Sequence, residues 1–195
     1  MIDAIISWDA SVLLYFQDHI RTDWLDPIMK GISLIGYKGL FWIALCWVLM
    51  LIKKTRWVGF YVSASLLLSF IVNNLIIKNL VGRIRPYEIV DGLTRIVDAE
   101  KDASFPSGHV ACVFAVGMGL LLASKKKIYG ILMLCFGVLM AISRMYLGVH
   151  YPTDVIAGMI FASLAAVAAY FIVRAIERKV QKRREEKSDA GSMMV

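Results

Sequence analysis

Cysteine is scarce in this chain, with three in 195 residues and none at paired spacing, which excludes a disulfide framework and a cysteine-held zinc site. Cys46, Cys112 and Cys135 all fall inside apolar runs, where a thiol serves as a small packing group. A secretory leader is also missing. Met1 to Arg21 carries Asp3, Asp9 and Asp18 and has neither a basic start nor a cleavage site, so this segment is expected to stay in the mature protein. There are no internal repeats, no low-complexity tract and no Asp/His cluster spaced for a metal ion. Charge itself is thin: 19% of residues are charged against 59% hydrophobic, and the mean hydropathy of +0.67 lies outside the soluble class.

What is abundant is apolar run. Phe60 to Ile77 is nearly free of charge, and Val155 to Val173 carries none, so each can cross a hydrocarbon core. Shorter runs at Gly39 to Ile52, Val110 to Ala123 and Ile128 to Ile142 suit helices whose ends line a recess. The expectation is an all-α polytopic transmembrane bundle of five to six spans, forming one domain over residues 1–195. Residues 2–20 place Ile2, Ile5, Ile6, Leu13, Phe16 and Ile20 at helical spacing, which reads as an amphipathic helix at the membrane surface within 1–21. A sixth span here is the competing reading, and it requires burial of the acidic residues.

The net charge of +7 invites a nucleic-acid reading, which the placement of the charge excludes. Three basic residues lie in Lys53 to Arg56, three in Lys125 to Lys127 and seven between Arg174 and Lys187, thirteen of the 22 in all. A five-span chain puts all three segments on one side, which the positive-inside rule makes cytoplasmic, with 174–195 as a basic cytoplasmic tail. The polar stretch 78–104, broken by Gly82, Pro86 and Gly92, then becomes an extracytoplasmic loop facing the same side as the turn at His150.

Chemistry concentrates at that side. Ser143 to Asp154 sets Arg144, His150 and Asp154 between two apolar runs, where ionisable groups persist only if paired, wet or bound to something. Pro152 suits a first helical residue, so Asp154 falls in the first turn within reach of His150. A carboxylate holding one imidazole nitrogen leaves the other free to act as nucleophile or base. Arg144 supplies a planar fork suited to phosphate. The alternative for this stretch alone is an arginine and an aspartate neutralising each other beside a spectator histidine. Lys78 and Arg85, followed by Pro86, stand at the head of the loop, and Pro106 to His109 open the next span, with Pro106 expected to start the helix. Ser107 and the amide of Gly108 make an anion cradle at that helix N-terminus, with His109 on the same turn. Taken singly, these groups read as interface anchors and a helix cap; together they converge on one membrane face.

Lys78 to Pro86 (K-x6-RP), Ser107 to His109 (PSGH with Pro106) and Ser143 to Asp154 (SR-x5-H-x3-D) resemble, without a departure, the three-part signature of the type 2 phosphatidic acid phosphatase superfamily. By that resemblance Lys78, Arg85 and Arg144 bind phosphate oxygens, and Ser107 and Gly108 add donors. His109 is the general acid and His150 the nucleophile, oriented by Asp154. The implied activity is a metal-independent lipid phosphatase working through a phosphohistidine, with no cofactor. Phosphoryl transfer needs chiefly positioning and charge stabilisation, which three cations and amides can supply. Its partners are the bilayer and a lipid phosphate drawn from it; nucleic acid is not among them. The resemblance in size and layout to small bacterial undecaprenyl pyrophosphate phosphatases favours that substrate, with phosphatidylglycerophosphate or phosphatidate as the alternative. The rival classes are a vanadate-dependent haloperoxidase, which the membrane spans oppose, and a transporter or other non-enzymatic phosphate-binding membrane protein, which has no need of two histidines and an orienting aspartate. Localisation follows as a multi-pass plasma or inner membrane protein with its site outside the cytoplasm.

Overall fold

A computed structural model describes residues 2–192 as nine α-helices and no strand among them. Helix α1 (Ile2–Tyr15) passes into a wider π turn over Phe16–Ile20. Helix α2 (Asp26–Ile35) starts on Asp26 and Pro27, an acid at the positive helix end followed by a residue whose missing N–H is no loss there. Gly39, with φ of 69°, turns the chain into α3 (Leu40–Leu51), and the two helices meet at 48°. Helix α4 (Arg56–Phe70) runs on through a π stretch, Ile71–Ile77, into α5 (Lys78–Val81). A short α6 (Pro86–Ile89) precedes the long loop. Then come α7 (Gly108–Ala123), α8 (Ile128–Tyr146) and α9 (Pro152–Ser192). The expected tail at 174–195 continues α9 as helix to Ser192, and its last residues lie outside the described ones.

Helix α7 is the axis of the bundle, packed against α4, α8 and α9. Its inward side is small: Ala111, Ala115, Gly117 and Gly119 are buried, so neighbouring backbones approach closely, as helices do where no hydrophobic effect drives them together. A β-carbon on Gly119 would stand 3.1 Å from the Cα of Val62 on α4. Val62, Val113, Val116 and Met140 complete the core, while Leu67, Phe70, Leu132, Leu164 and Phe171 face outward. Outward apolar side chains on charge-poor helices match a lipid surround.

The molecule is an all-helical membrane bundle. By length and composition three helices can cross a bilayer, at Arg56–Ile89, Ile128–Tyr146 and Pro152–Arg183, and a fourth crossing results if α2 and α3 are one bent span. The expected third span at Val110 to Ala123 is the short, central α7. The Tyr61 hydroxyl donates to Glu177 at 2.6 Å, which sets the start of α4 level with the far part of α9. Gly119, late in α7, also meets the early part of α4. The basic turns 53–56 and 125–127 and the basic part of α9 therefore share one end, and the loop 90–107 and the His150 turn share the other. Helix α1 departs from a simple amphipathic pattern: Asp9 points into the protein, and Ile5, Ile6 and Trp8 point out.

Candidate active site

Lys78 is aimed by the π stretch before it, a widening of the helix that recurs at functional sites. Gly82, with φ of 58°, then ends the rod in a left-handed cap that L-residues resist, and the chain turns back with Arg83 and Arg85 directed inward. Gly148, with φ of 74°, does the same after α8, and a β-carbon there would stand 2.7 Å from both the Arg21 Nη2 and the Thr94 carbonyl oxygen. The chain is thereby free to carry Val149 and His150 into the interior, where both are fully buried.

His150 is held between a carboxylate and a guanidinium. Its Nδ1 lies 3.4 Å from Asp154 Oδ2, and its Nε2 lies 3.3 Å from Arg85 Nη1. Asp154 Oδ2 also takes hydrogen bonds from the Ser104 hydroxyl and from the Tyr151 amide at 2.9 Å. A carboxylate can only accept, so Nδ1 is the imidazole nitrogen that carries hydrogen, and Nε2 keeps its lone pair. Burial foremost, followed by the Arg85 and Arg144 charges, pushes the His150 imidazole well below its ordinary range. The ring is neutral at physiological pH, the state a nitrogen nucleophile needs.

The cations stand in a row. Asp102 bridges Lys78 Nζ at 2.5 Å and Arg85 Nη2 at 2.7 Å, and Glu100 bridges Arg85 Nη2 at 2.5 Å and Arg144 Nη2. Arg144 Nη1 donates to Ser33 on α2 at 2.6 Å, and Arg85 Nη1 donates to the Val149 carbonyl at 2.9 Å. Burial raises the Glu100 carboxyl, but the Arg144 and Arg85 charges outweigh it and hold the group down at about 2. Asp102 is likewise held down at about 2, where Lys78 and Arg85 overcome its burial.

Helix α7 begins at Gly108 and not at Pro106: Ser107 is the residue before the first turn, and Pro106 precedes it in a cis bond. The Ser107 backbone amide donates to the Asp154 carbonyl at 3.0 Å, which locks the PSGH turn to the start of α9. Its hydroxyl does not cap the helix; it is buried without a partner, as is Arg144 Nε. A buried polar atom left unpaired costs about 1 to 3 kcal/mol, a cost that a ligand oxygen could relieve at either group. His109 is half-buried, with its ring against Gly36. The fit to a divalent cation is poor: the described residues hold no group of three candidate ligands, and the loop carboxylates are tied to cations.

Lys78, Gly108, His109, Arg144 and His150 line one recess of about 1860 Å³, whose far wall is apolar, with Ile43, Trp47, Leu67 and Phe70 from α3 and α4. Arg85, Ser107 and Asp154 are buried and do not line the recess; Arg85 and Asp154 lie behind His150. Eight residues singled out from the sequence are thus brought to one end of the bundle.

Several partners had gone unnoticed in the sequence. Arg83 Nη1 donates to Asp154 Oδ1 and to the Thr153 hydroxyl, each at 2.7 Å, while Nη2 donates to Asp9 at 2.7 Å. Ser104, Ser33, Glu100 and Asp102 complete the surroundings. Arg83 lies inside the Lys78 to Pro86 motif and Asp9 is an acid in an apolar helix, two signals that could have marked them.

Known proteins resemble this chain in sequence and in fold. Residues 57–178 match the PAP2 superfamily. An undecaprenyl-diphosphatase of Sulfolobus acidocaldarius is 34% identical over 139 residues, which cover 71% of this chain and 66% of that protein. Phosphatidylglycerophosphatase B of Bacillus subtilis is 31% identical over 179 residues, covering 86% and 82% of the two chains. The crystal structure of a transmembrane PAP2-type phosphatidylglycerolphosphate phosphatase from Bacillus subtilis superposes with a TM-score of 0.71 at 28% identity, over 91% of this chain and 88% of that one. With the matched region containing all three motifs and the fold shared with a solved member, the chain belongs to the PAP2 superfamily.

Proposed function

We propose that this protein is a lipid phosphatase that hydrolyses a lipid diphosphate, undecaprenyl diphosphate by its chemistry class, through a phosphohistidine and without a metal. The observation that carries the reading is the row Lys78, Arg85 and Arg144 ending at a neutral His150 whose Nδ1 faces Asp154. His150 Nε2 attacks phosphorus; the new N–P bond forms as the P–O bond to the leaving group breaks, and His109 gives that oxygen its proton. Water then attacks the phosphohistidine with His109 as base, freeing phosphate and restoring both imidazoles. Lys78, Arg85, Arg144, Ser107 and the Gly108 amide carry the equatorial charge.

In a five-span reading the site lies at the outer membrane face and the basic turns and tail in the cytoplasm, as the positive-inside rule favours. Helix α1 is the amphipathic helix of this outer face, and contacts of its end and of the residues that follow support that position. Leu13 of α1 packs with Leu93 and Tyr151, Gln17 of the π turn bonds to Gly92 and Thr94, and Arg21 beyond it bonds to Tyr146, all at the level of the loop. The recess, polar at one end and apolar between α3 and α4 at the other, suits a headgroup with its tail leaving toward the bilayer. A second reading, phosphatidylglycerophosphate hydrolysis, is favoured by the likeness to the Bacillus enzyme. The test is phosphate release by the purified protein in detergent with EDTA, from a panel of lipid diphosphates and monophosphates. Preference for a polyprenyl diphosphate supports the proposal, preference for phosphatidylglycerophosphate supports the second reading, and no release from any sinks both.

A further inference from the structure

The three cations assigned to substrate phosphate are already engaged. Glu100 and Asp102 come from the loop between α6 and α7, and together they make four ion pairs with Lys78, Arg85 and Arg144. Both carboxylates converge on the same Arg85 nitrogen, at 2.5 and 2.7 Å. Because they cover it, Arg85 is 2% exposed and forms no part of the recess wall, although the loop carboxylates themselves do. No phosphate can reach Arg85 while this arrangement holds.

The segment that carries them is tethered at its ends. Tyr87 brackets Glu100 through its backbone, Ile96 donates to the Leu147 carbonyl, and the Ser104 amide donates to the Arg83 carbonyl at 2.8 Å. Between those points the chain has no helix; the Asp102 carbonyl accepts from Arg85 Nε at 3.0 Å, but its side chain is 55% exposed, so the carboxylate can turn out to water while the backbone stays in place. The carboxylates define two anion positions, one between Lys78 and Arg85 and one between Arg85 and Arg144 beside His150.

We propose that Glu100 and Asp102 act as an internal counter-anion: substrate phosphate binds by exchange, displacing a carboxylate from each anion position that it fills. This rests on the phosphate-binding reading of the three cations. A monophosphate replaces one carboxylate and a diphosphate replaces both. Filling an ion-paired site by exchange costs affinity, and removing a carboxylate returns its share of that cost.

The test measures binding of inorganic phosphate and inorganic pyrophosphate calorimetrically to the full chain in detergent, for wild type, Glu100→Gln, Asp102→Asn and the exposed neighbour Lys101→Gln. Each carboxylate variant is expected to bind phosphate and pyrophosphate about tenfold more tightly, the size of one charge-assisted contact, because one competitor is removed for either anion. Lys101→Gln is expected to show no gain. Unchanged or weaker binding of either anion in variants that elute as wild type does on gel filtration overturns the proposal. Should Glu100→Gln fail to fold, Asp102→Asn, whose side chain is largely solvated, decides alone. Turnover of lipid phosphates by wild type is measured beside it: its absence counts against the phosphatase reading, while the anion-exchange comparison is still read from the calorimeter.

Discussion

Removing Arg83 is the perturbation that most directly tests how the site is held. Its two terminal nitrogens serve two different carboxylates, Asp154 and Asp9, both fully buried. Arg83→Ala leaves two buried charges without their cation, and breaking a buried pair this way costs about 3 to 5 kcal/mol. For a chain of this length each kcal/mol moves the melting midpoint by about 2 to 4 °C, so the fall expected is roughly 6 to 20 °C. Asp154 keeps Ser104 and the Tyr151 amide on Oδ2 but loses its only side-chain cation on Oδ1. The kcat is therefore expected to drop about 10- to 100-fold, the range for groups that orient a reacting ligand from behind. KM is expected to stay near wild type, because Arg83 is not in the recess wall. Arg83→Lys has one point charge for two acceptors and is expected to fall between the two. Phosphate release across substrate concentration, with thermal melting of the same preparations, reads all three quantities. Wild-type kcat with a melting point shifted by less than about 2 °C would refute the bracing argument; a raised KM at unchanged kcat would instead place Arg83 on the substrate.

His150→Ala is expected to abolish turnover while Asp154→Asn leaves residual activity, since one supplies the attacking nitrogen and the other orients it; full activity of His150→Ala ends the nucleophile assignment. Vanadate is expected to inhibit and activity to survive EDTA; loss in EDTA restored by magnesium contradicts the metal-free scheme. In a background without native cysteines, Thr94→Cys is expected to react with an impermeant thiol reagent on whole cells and Lys126→Cys only after lysis, and the reverse pattern moves the site to the cytoplasm. Stability should fall as the pH drops. His150 binds its proton less readily folded than unfolded, so its penalty grows below about pH 6.5. Glu100 and Asp102, held down at about 2, lose their contribution as the pH falls from their unfolded values near 4. Flat melting from pH 7 to pH 4 contradicts both assignments.

The motif residues were legible because their spacing already encodes local geometry. His150 and Asp154 are four apart across a proline that starts a helix, so the carboxylate had to come round beneath the ring, and it does. The start of α7 was misplaced by two residues because a proline suits the first turn, whereas here Ser107 precedes the helix and Gly108 opens it. The π stretch that aims Lys78 left no sequence signal, since IVNNLII reads as ordinary apolar helix.

The counter-charges were illegible for a different reason. Arg83 meets Asp9 across 74 positions and Arg144 meets Glu100 across 44, and no local period carries such a pairing. Yet the physics of an apolar surround constrains it in advance. A chain this poor in charge cannot leave Asp9 or Arg83 unpaired in its interior, so every ionisable residue not assigned to the reaction had to be either at the interface or matched to another. At this end of the bundle Arg83 is taken up by Asp9 and Asp154, which leaves Glu100 and Asp102 to Lys78, Arg85 and Arg144. The pairing of those cations with loop carboxylates is thus what the cost of unpaired charge favours where the chain is largely apolar.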